Sequence, residues 1–141
     1  MKVFKGKRIV KGSAQLDTIS APCILCPHSF SFLGDIDSHS GQITRIDSPC
    51  KDMHISQQIL AFTASKGSSS GCVILSSLAK QGKGPVAIIT LQPADYNLVE
   101  GAILGEIPFL AEIDPQFFKE IQTGMQITIQ GNTCTLLEKE Q

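Results

Sequence analysis

The sequence has no excess of basic residues and no long apolar run, and its number of cysteines is odd. Lys and Arg number 12 and Asp and Glu 13 among 141 residues, so the formal net charge is -1. A nucleic-acid-binding surface needs clustered basic residues, and a membrane-spanning helix needs about 20 mostly apolar ones. The N-terminal stretch MKVFKGKRIVKG interleaves charged and apolar residues, unlike a signal peptide. We therefore expect a cytoplasmic protein that binds neither nucleic acid nor membrane.

The cysteines lie at positions 23, 26, 50, 72 and 134, and their odd number in a chain of this size favours reduced thiols. Cys23 and Cys26 form a C-x-x-C pair near His28, which raises the possibility of a metal or redox site. Zinc would need a second pair of ligands at suitable spacing, and the other cysteines are scattered singly. We favour two buried thiols, and a thiol-dependent protein built on this pair stays open as an alternative.

The hydrophobic fraction of 42% fits one globular domain over residues 1–141. The segment that organises the chain is ILAFTASKGSSSGCVILSSL, residues 59–78. It begins with a short apolar run typical of a buried strand, passes through a loop of small residues, and continues with apolar residues at helical spacing. The β-branched run Val86–Leu91 then predicts a second strand, so residues 59–91 form a parallel β-α-β unit.

Shorter elements flank this unit. The segment 1–10, followed by 14–19, predicts an early β-hairpin, and residues 42–46 predict a strand. Residues 93–103 predict a short helix, 107–111 a strand, and 115–121 one or two helical turns. Gly131-Asn132 joins 125–129 to 133–137 as a terminal hairpin. The predicted fold is mixed α/β, with a central β-α-β unit and flanking hairpins.

The loop Ser68-Ser69-Ser70 permits two interpretations. The simpler one, which we favour on the sequence alone, is a helix N-cap, because serine there satisfies N–H groups that lack intrahelical partners. The other is an anion-binding or catalytic loop, because helix-start N–H groups and the helix dipole attract negative charge. The three serines between Gly67 and Gly71 match neither a G-x-S-x-G nucleophile elbow nor a Walker A loop.

Other chemistry-bearing residues give weaker signals. Nothing in the spacing of His28, His39 and His54 connects them to the serine loop as a catalytic base. Aspartates 35, 37 and 95 are candidate active carboxylates, although turns and helix starts use aspartate routinely.

Four stretches, in order, resemble the aconitase X family of dehydratases: FKGKRIVKGSAQ, FSFLGDIDSHSGQI, KGSSSGCVILSSL and EGAILGEIPF. The closing TGMQITIQGNTCTLLE is also similar to the family's terminal hairpin. The match covers nearly the whole chain and corresponds to the family's small subunit, or swivel domain. The resemblance implies a swivelling β/β/α fold like the mobile last domain of aconitases. It also implies a larger partner subunit that holds an iron–sulfur cluster and most of the substrate site.

The resemblance also implies residue roles. The family's proton acceptor is the serine that begins the loop after the central strand, which matches Ser68. Contacts to a substrate carboxylate or phosphate are then expected from Ser69, Ser70, the Gly71 backbone and Lys66. We assign no metal ligand to this chain, and we expect it to be inactive without the large subunit. Two positions depart from the family: Asp35 stands where a glycine is usual, and Cys72 where a serine is common.

The resemblance leaves the substrate open between cis-3-hydroxy-L-proline and mevalonate 5-phosphate. The Gly-Ser-x-Ser-Gly spacing of residues 67–71 favours hydroxyproline, and the 18% charged fraction argues mildly against a hyperthermophilic archaeal source. We therefore expect a hydro-lyase subunit acting on hydroxyproline, with the phosphorylated substrate as the first alternative. A non-catalytic swivelling or binding module is the second alternative.

Overall fold

The structure is a computed structural model that describes residues 2–13, 17–66 and 68–136. The first part contains four strands: β1 (Lys2–Lys5), β2 (Lys7–Val10), β3 (Thr18–Cys26) and β4 (Ile59–Phe62). The middle contains α1 (Ser69–Lys80), β5 (Ala87–Thr90), α2 (Tyr96–Leu104) and β6 (Phe109–Ala111). The last part contains α3 (Gln116–Glu120), β7 (Gln126–Gln130) and β8 (Thr133–Leu136). None of the helices in these ranges is long and apolar enough to cross a membrane.

The strands form one eight-stranded sheet in the order β1-β8-β7-β3-β4-β5-β6-β2. The central strands β3, β4, β5 and β6 run parallel to one another. The outer pairings, β1 with β8, β7 with β8, β3 with β7 and β2 with β6, are antiparallel. Because β4 and β5 are buried along their length, they read as continuous apolar runs, and this is why both are recognisable in the sequence.

The two edge strands of this order are consecutive in the chain, separated by Gly6 alone. A Cβ atom at Gly6 would lie 3.0 Å from both the carbonyl oxygen of Ala111 and Cγ of Leu110, so the crossing has no room for a side chain. The Gly6 N–H donates to the carbonyl of Asn132, and the Asp114 N–H donates to that of Lys5. The chain at this point therefore links the two ends of the strand order.

The sheet separates two hydrophobic cores. Ile59 and Ala61 belong to one cluster, with Phe117 of α3 and residues of β1, β7 and β8. Leu60 and Phe62 point to the other face and pack in the cluster that contains Leu75 of α1. This alternation follows from the strand period of two. The second cluster fixes α1 against the sheet and so places the loop that precedes it.

The mixed α/β fold and the β-α-β unit are confirmed, as are the helices after Pro93 and Pro115 and the terminal hairpin. The early hairpin is wrong: β1 pairs with β8 and β2 with β6, and β3 begins at Thr18. Residues 14–16 of that prediction lie outside the described residues. Residues 42–46 do not form a strand either. Only single bridges occur there, from Ile43 to Ile36 and from Gln42 to His54, because nearby turns prevent a continuous ladder.

Candidate active-site loop

Ser68 is the N-cap of α1. Its backbone is extended, with φ -151° and ψ 152°, and its Oγ accepts the N–H of Gly71 at 3.0 Å. The Ser68 carbonyl accepts the Cys72 N–H at 3.3 Å, which begins the helix. The capping role that the sequence favoured is therefore present. It uses a lone pair of the hydroxyl oxygen and leaves the hydroxyl proton available for another partner.

The loop lies at the carboxyl end of the parallel strands, where β4 leads into α1. The segment after β4 is held by strand-like hydrogen bonds to the segment after β3. The Phe30 N–H donates to the Ala64 carbonyl at 2.9 Å, and the Lys66 N–H to the Phe30 carbonyl at 3.0 Å. This pairing sets the path of the chain up to Lys66, while Gly67 lies outside the described residues.

The predicted site residues lie together at the surface. Ser68 and Gly71 are half-buried, whereas Lys66, Ser69 and Ser70 are exposed. A small open depression is lined by Ser65, Lys66, Ser68 and Gly71 from this loop, and by Asp95 and Asn97 from the start of α2. The Ser68 hydroxyl is therefore not sealed inside the protein, and the first-turn N–H groups of Ser69 and Ser70 have no acceptor within the helix.

The start of α2 completes this rim because α1 and α2 pack closely. A Cβ atom at Gly101 would lie 3.1 Å from the Cys72 carbonyl oxygen, so the two helix backbones are nearly in contact. Asp95 caps α2, and its Oδ2 accepts the Leu98 N–H at 3.1 Å. Its carboxylate therefore has a structural task, which was the simpler interpretation of this residue.

The other two aspartates are also engaged. Asp37 Oδ1 accepts the N–H groups of His39 and Ser40 at 2.8 and 2.9 Å, and these bonds lower the pKa of its carboxyl. Asp35 Oδ2 accepts the Ser31 N–H at 2.8 Å and lies 3.7 Å from Nη1 of Arg45. Each carboxylate thus closes a local turn.

The histidines do not form a catalytic pair with Ser68. The His28 ring contacts the Ser48 hydroxyl at 2.9 Å and Nη1 of Arg45 at 2.9 Å. His39 and His54 are exposed, and His54 lies in a bridge to Gln42. Among the described residues, the hydrogen-bond partner of Ser68 Oγ is the Gly71 N–H. A serine-hydrolase triad is therefore not built here.

The five cysteines are buried and reduced. Burial raises the pKa of Cys23 and, to about 12, that of Cys134. A hydrogen bond to Cys50, together with burial, raises the pKa of the Cys26 thiol. Thiols whose pKa is raised are poor nucleophiles and poor metal ligands. Cys50 differs, because hydrogen bonds to Cys26, Thr123 and Ser48 lower the pKa of its thiol to about 7. Within residues 2–13, 17–66 and 68–136, no group of three or more His, Cys, Asp or Glu side chains is arranged to hold a metal ion. The part of the chain that the structure describes therefore offers no ligand set that fits an iron–sulfur cluster.

Sequence reasoning did not select Phe32, which lines the depression beside Ser68, or Arg45, which lies 3.7 Å from the Asp35 carboxylate. Arg45 stands in the segment 42–46, which the sequence predicted as a strand, and its partners His28 and Asp35 are distant in sequence. Phe32 lies in the cluster beneath α1, and its Cβ is 3.7 Å from where a Cβ of Gly71 would lie. No local pattern marks such contacts.

Comparison with known proteins assigns the arrangement to a family. The model of the aconitase X swivel domain matches residues 3–137. The phosphomevalonate dehydratase small subunit of Pyrococcus furiosus is 35% identical over 128 residues, spanning 91% of this chain and 89% of the relative. The subunit of the same name from Pyrococcus horikoshii is 36% identical over 126 residues, spanning 89% and 87%.

Two solved structures are similar to this chain over nearly its whole length. The holo-form of Thermococcus kodakaraensis aconitase X superposes with a TM-score of 0.86 at 29% identity, covering 98% of this chain and all of that chain. A protein named UPF0107, solved by solution NMR, gives a TM-score of 0.84 at 28% identity and covers 97% of this chain and all of that chain. The chain belongs to the aconitase X swivel-domain family. More particularly, it is a dehydratase small subunit of the aconitase X type.

Proposed function

We propose that this subunit takes part in removing water from mevalonate 5-phosphate, with Ser68 as the proton acceptor. The observation that carries the proposal is the placement of Ser68 Oγ: it caps α1 at the edge of an open depression, beside two exposed serines and an exposed lysine. The names of the Pyrococcus relatives support the phosphorylated substrate.

In this dehydration a proton leaves the carbon next to the substrate carboxylate, and hydroxide leaves the adjacent carbon, so that a double bond and water form. Ser68 can accept that proton when its own oxygen is deprotonated. The Gly71 N–H at 3.0 Å and the positive end of the α1 dipole both stabilise negative charge at Oγ. Exclusion of water by a partner would strengthen both effects, because the local dielectric constant falls.

The same helix start suits the anionic substrate. The N–H groups of Ser69 and Ser70 point away from the helix and have no intrahelical acceptor, and Lys66 adds a positive charge at the rim. We assign Ser69, Ser70, the Gly71 backbone and Lys66 to substrate contacts. The sequence-based preference for cis-3-hydroxy-L-proline rests on loop spacing, whereas the relatives' names support mevalonate 5-phosphate.

A larger subunit would complete the site. Apolar side chains surround the loop on the outer surface: Leu33 is 55% exposed, Val73 65% and Tyr96 82%. Leu33 lies against Gly71, Val73 follows it in α1, and Tyr96 stands between two rim residues of α2. We call these three side chains the apolar collar. Exposed apolar residues around a charged site are typical of a surface that a partner covers. We assign the iron–sulfur cluster, which would supply a Lewis acid, to that partner.

The test is reconstitution of this chain with a large aconitase-like subunit. We expect the pair, and neither subunit alone, to convert mevalonate 5-phosphate with loss of one water, measured by mass spectrometry. Preference for cis-3-hydroxy-L-proline would overturn the substrate assignment alone. A reconstituted, cluster-loaded pair that dehydrates neither substrate would overturn the proposed reaction for this chain.

A further inference from the structure

We propose that Asp35 and Arg45 are positioning residues for Ser68. They hold the Ser31–Asp35 turn against Gly71 and so fix the direction in which the Ser68 hydroxyl is presented. The catalytic part of this inference rests on the proposed function, while its structural part can be tested on the chain alone.

Residues 31–35 form a turn that Asp35 closes. The Asp35 N–H donates to the Ser31 carbonyl at 2.9 Å, and the Asp35 carboxylate accepts the Ser31 N–H at 2.8 Å. The Ser31 hydroxyl accepts the Leu33 N–H at 3.2 Å. Asp35 thus closes the five-residue turn through both its N–H and its carboxylate, and an apolar side chain at position 35 would leave the Ser31 N–H without this acceptor.

Arg45 holds this turn in place. Nη1 of Arg45 lies 3.7 Å from Asp35 Oδ2 and donates to the Ser29 carbonyl at 2.7 Å. It also lies 2.9 Å from Nδ1 of His28, and that nitrogen lies 2.7 Å from the same Ser29 carbonyl oxygen. The side chains of Arg45 and Asp35 are only 21% and 15% exposed, so water screens this pair less than a surface pair. A single guanidinium therefore fixes the start and the end of the segment 28–35.

The tip of this turn packs against the start of α1. A Cβ of Gly71 would lie 3.7 Å from Cβ of Phe32 and 4.0 Å from the backbone nitrogen of Leu33, so the tip of the turn lies against Gly71. The Gly71 N–H is the group that bonds Ser68 Oγ at 3.0 Å. A turn that moves away from Gly71 frees the start of α1, and the direction of the Ser68 hydroxyl becomes less defined. Misplacement of a reacting group by about 1 Å can cost about 100-fold in rate.

The matched control is Asp47, because it binds the same guanidinium from the solvent side. Asp47 Oδ1 lies 2.6 Å from Nε of Arg45, yet its side chain is 73% exposed. Loss of this exposed partner should have little effect, whereas loss of the half-buried Asp35 should open the turn. Asp35→Ala removes both contacts of the carboxylate, and Asp35→Asn retains an acceptor for Ser31 while removing the charge.

The kinetic experiment uses the reconstituted pair. We expect Asp35→Ala to lower kcat about 10-fold or more while KM stays within about 3-fold, because the hydroxyl is misdirected and the substrate contacts remain. Asp35→Asn and Arg45→Lys should lie between this variant and the wild type, and Asp47→Asn should match the wild type. An Asp35→Ala pair with wild-type kcat would overturn the inference, as would an Asp47→Asn pair equally impaired.

The second readout is amide hydrogen exchange in the full chain, measured by NMR. We expect the Gly71 and Ser31 amides to exchange faster in Asp35→Ala, and the Asp47→Asn spectrum to be unchanged at both. Unchanged exchange at Gly71 in Asp35→Ala would refute the structural link even if the wild-type pair showed no dehydration. An inactive wild-type pair would instead count against the proposed function, so the two failures are distinguishable.

Discussion

Substitution of Gly101 by alanine tests whether the close packing of α1 on α2 positions the candidate active-site loop. The new Cβ would lie 3.1 Å from the Cys72 carbonyl oxygen, 3.2 Å from Cys72 Cα and 3.2 Å from Cδ2 of Leu75. Two of these atoms belong to the α1 backbone, so the helices must separate by a few tenths of an ångström. Such overpacking costs about 1–3 kcal/mol.

Better helix propensity offsets part of this cost, because alanine is favoured over glycine in a helix by about 1 kcal/mol. We therefore expect Gly101→Ala to lower the free energy of unfolding by about 1 kcal/mol, which corresponds to a fall in Tm of about 3 °C for a chain of this length. In the reconstituted pair kcat should also fall, since α1 carries Ser68 at its start. Urea and thermal unfolding followed by circular dichroism provide the measurement.

The control is Gly34→Ala, because a Cβ at Gly34 has no heavy atom within 4 Å and its backbone does not require glycine. This variant should unfold within about 0.5 kcal/mol of the wild type. If Gly101→Ala were instead more stable than the wild type by the full propensity gain of about 1 kcal/mol, the helix contact would not be tight, and the reasoning would be refuted.

Two further predictions concern the apolar collar around the loop and the buried thiols. Val73→Asp should weaken binding to the large subunit at least about 10-fold in titration calorimetry, because it places a charge in the apolar collar. Val3 is 50% exposed on the edge strand β1, so the control variant Val3→Asp should bind the large subunit normally. An equal loss of binding in both variants would contradict the assignment of the apolar collar to the subunit contact. Cys23 and Cys26 should resist iodoacetamide at pH 8 in the native chain, because both are buried and their pKa values are raised. Rapid alkylation of either one, found by peptide mass spectrometry, would revive a thiol-based function.

Local patterns were sufficient for the central part of the fold. The run Ile59–Phe62 is buried on both faces and therefore apolar throughout, and Asp95 caps its helix as helix-start aspartates commonly do. Pairings between distant segments could not be predicted in this way. Phe4 pairs with Cys134 across nearly the whole sequence, and nothing near β1 distinguishes that pairing from a hairpin with the next strand.

The place of the candidate site in the fold was predictable to a similar extent, while the roles of its residues stay a prediction. The loop after β4 identified Ser68, because small residues between a strand and a helix are a local signal. The family resemblance, and not the loop, suggested its chemistry. Arg45 was not predictable, since its role depends on three turns that meet only in the folded chain.

The central claim is that the Ser68 hydroxyl accepts a proton from substrate and does more than cap α1. Ser68→Asn separates these roles, because asparagine is as good an N-cap as serine but has no hydroxyl. Single-turnover rates should be compared for the wild-type and Ser68→Asn pairs on mevalonate 5-phosphate, with unfolding measured on each subunit. We predict that the variant unfolds within about 0.5 kcal/mol of the wild type and has lost at least about 100-fold in rate. A Ser68→Asn pair that is equally stable and turns over at the wild-type rate would contradict the central claim.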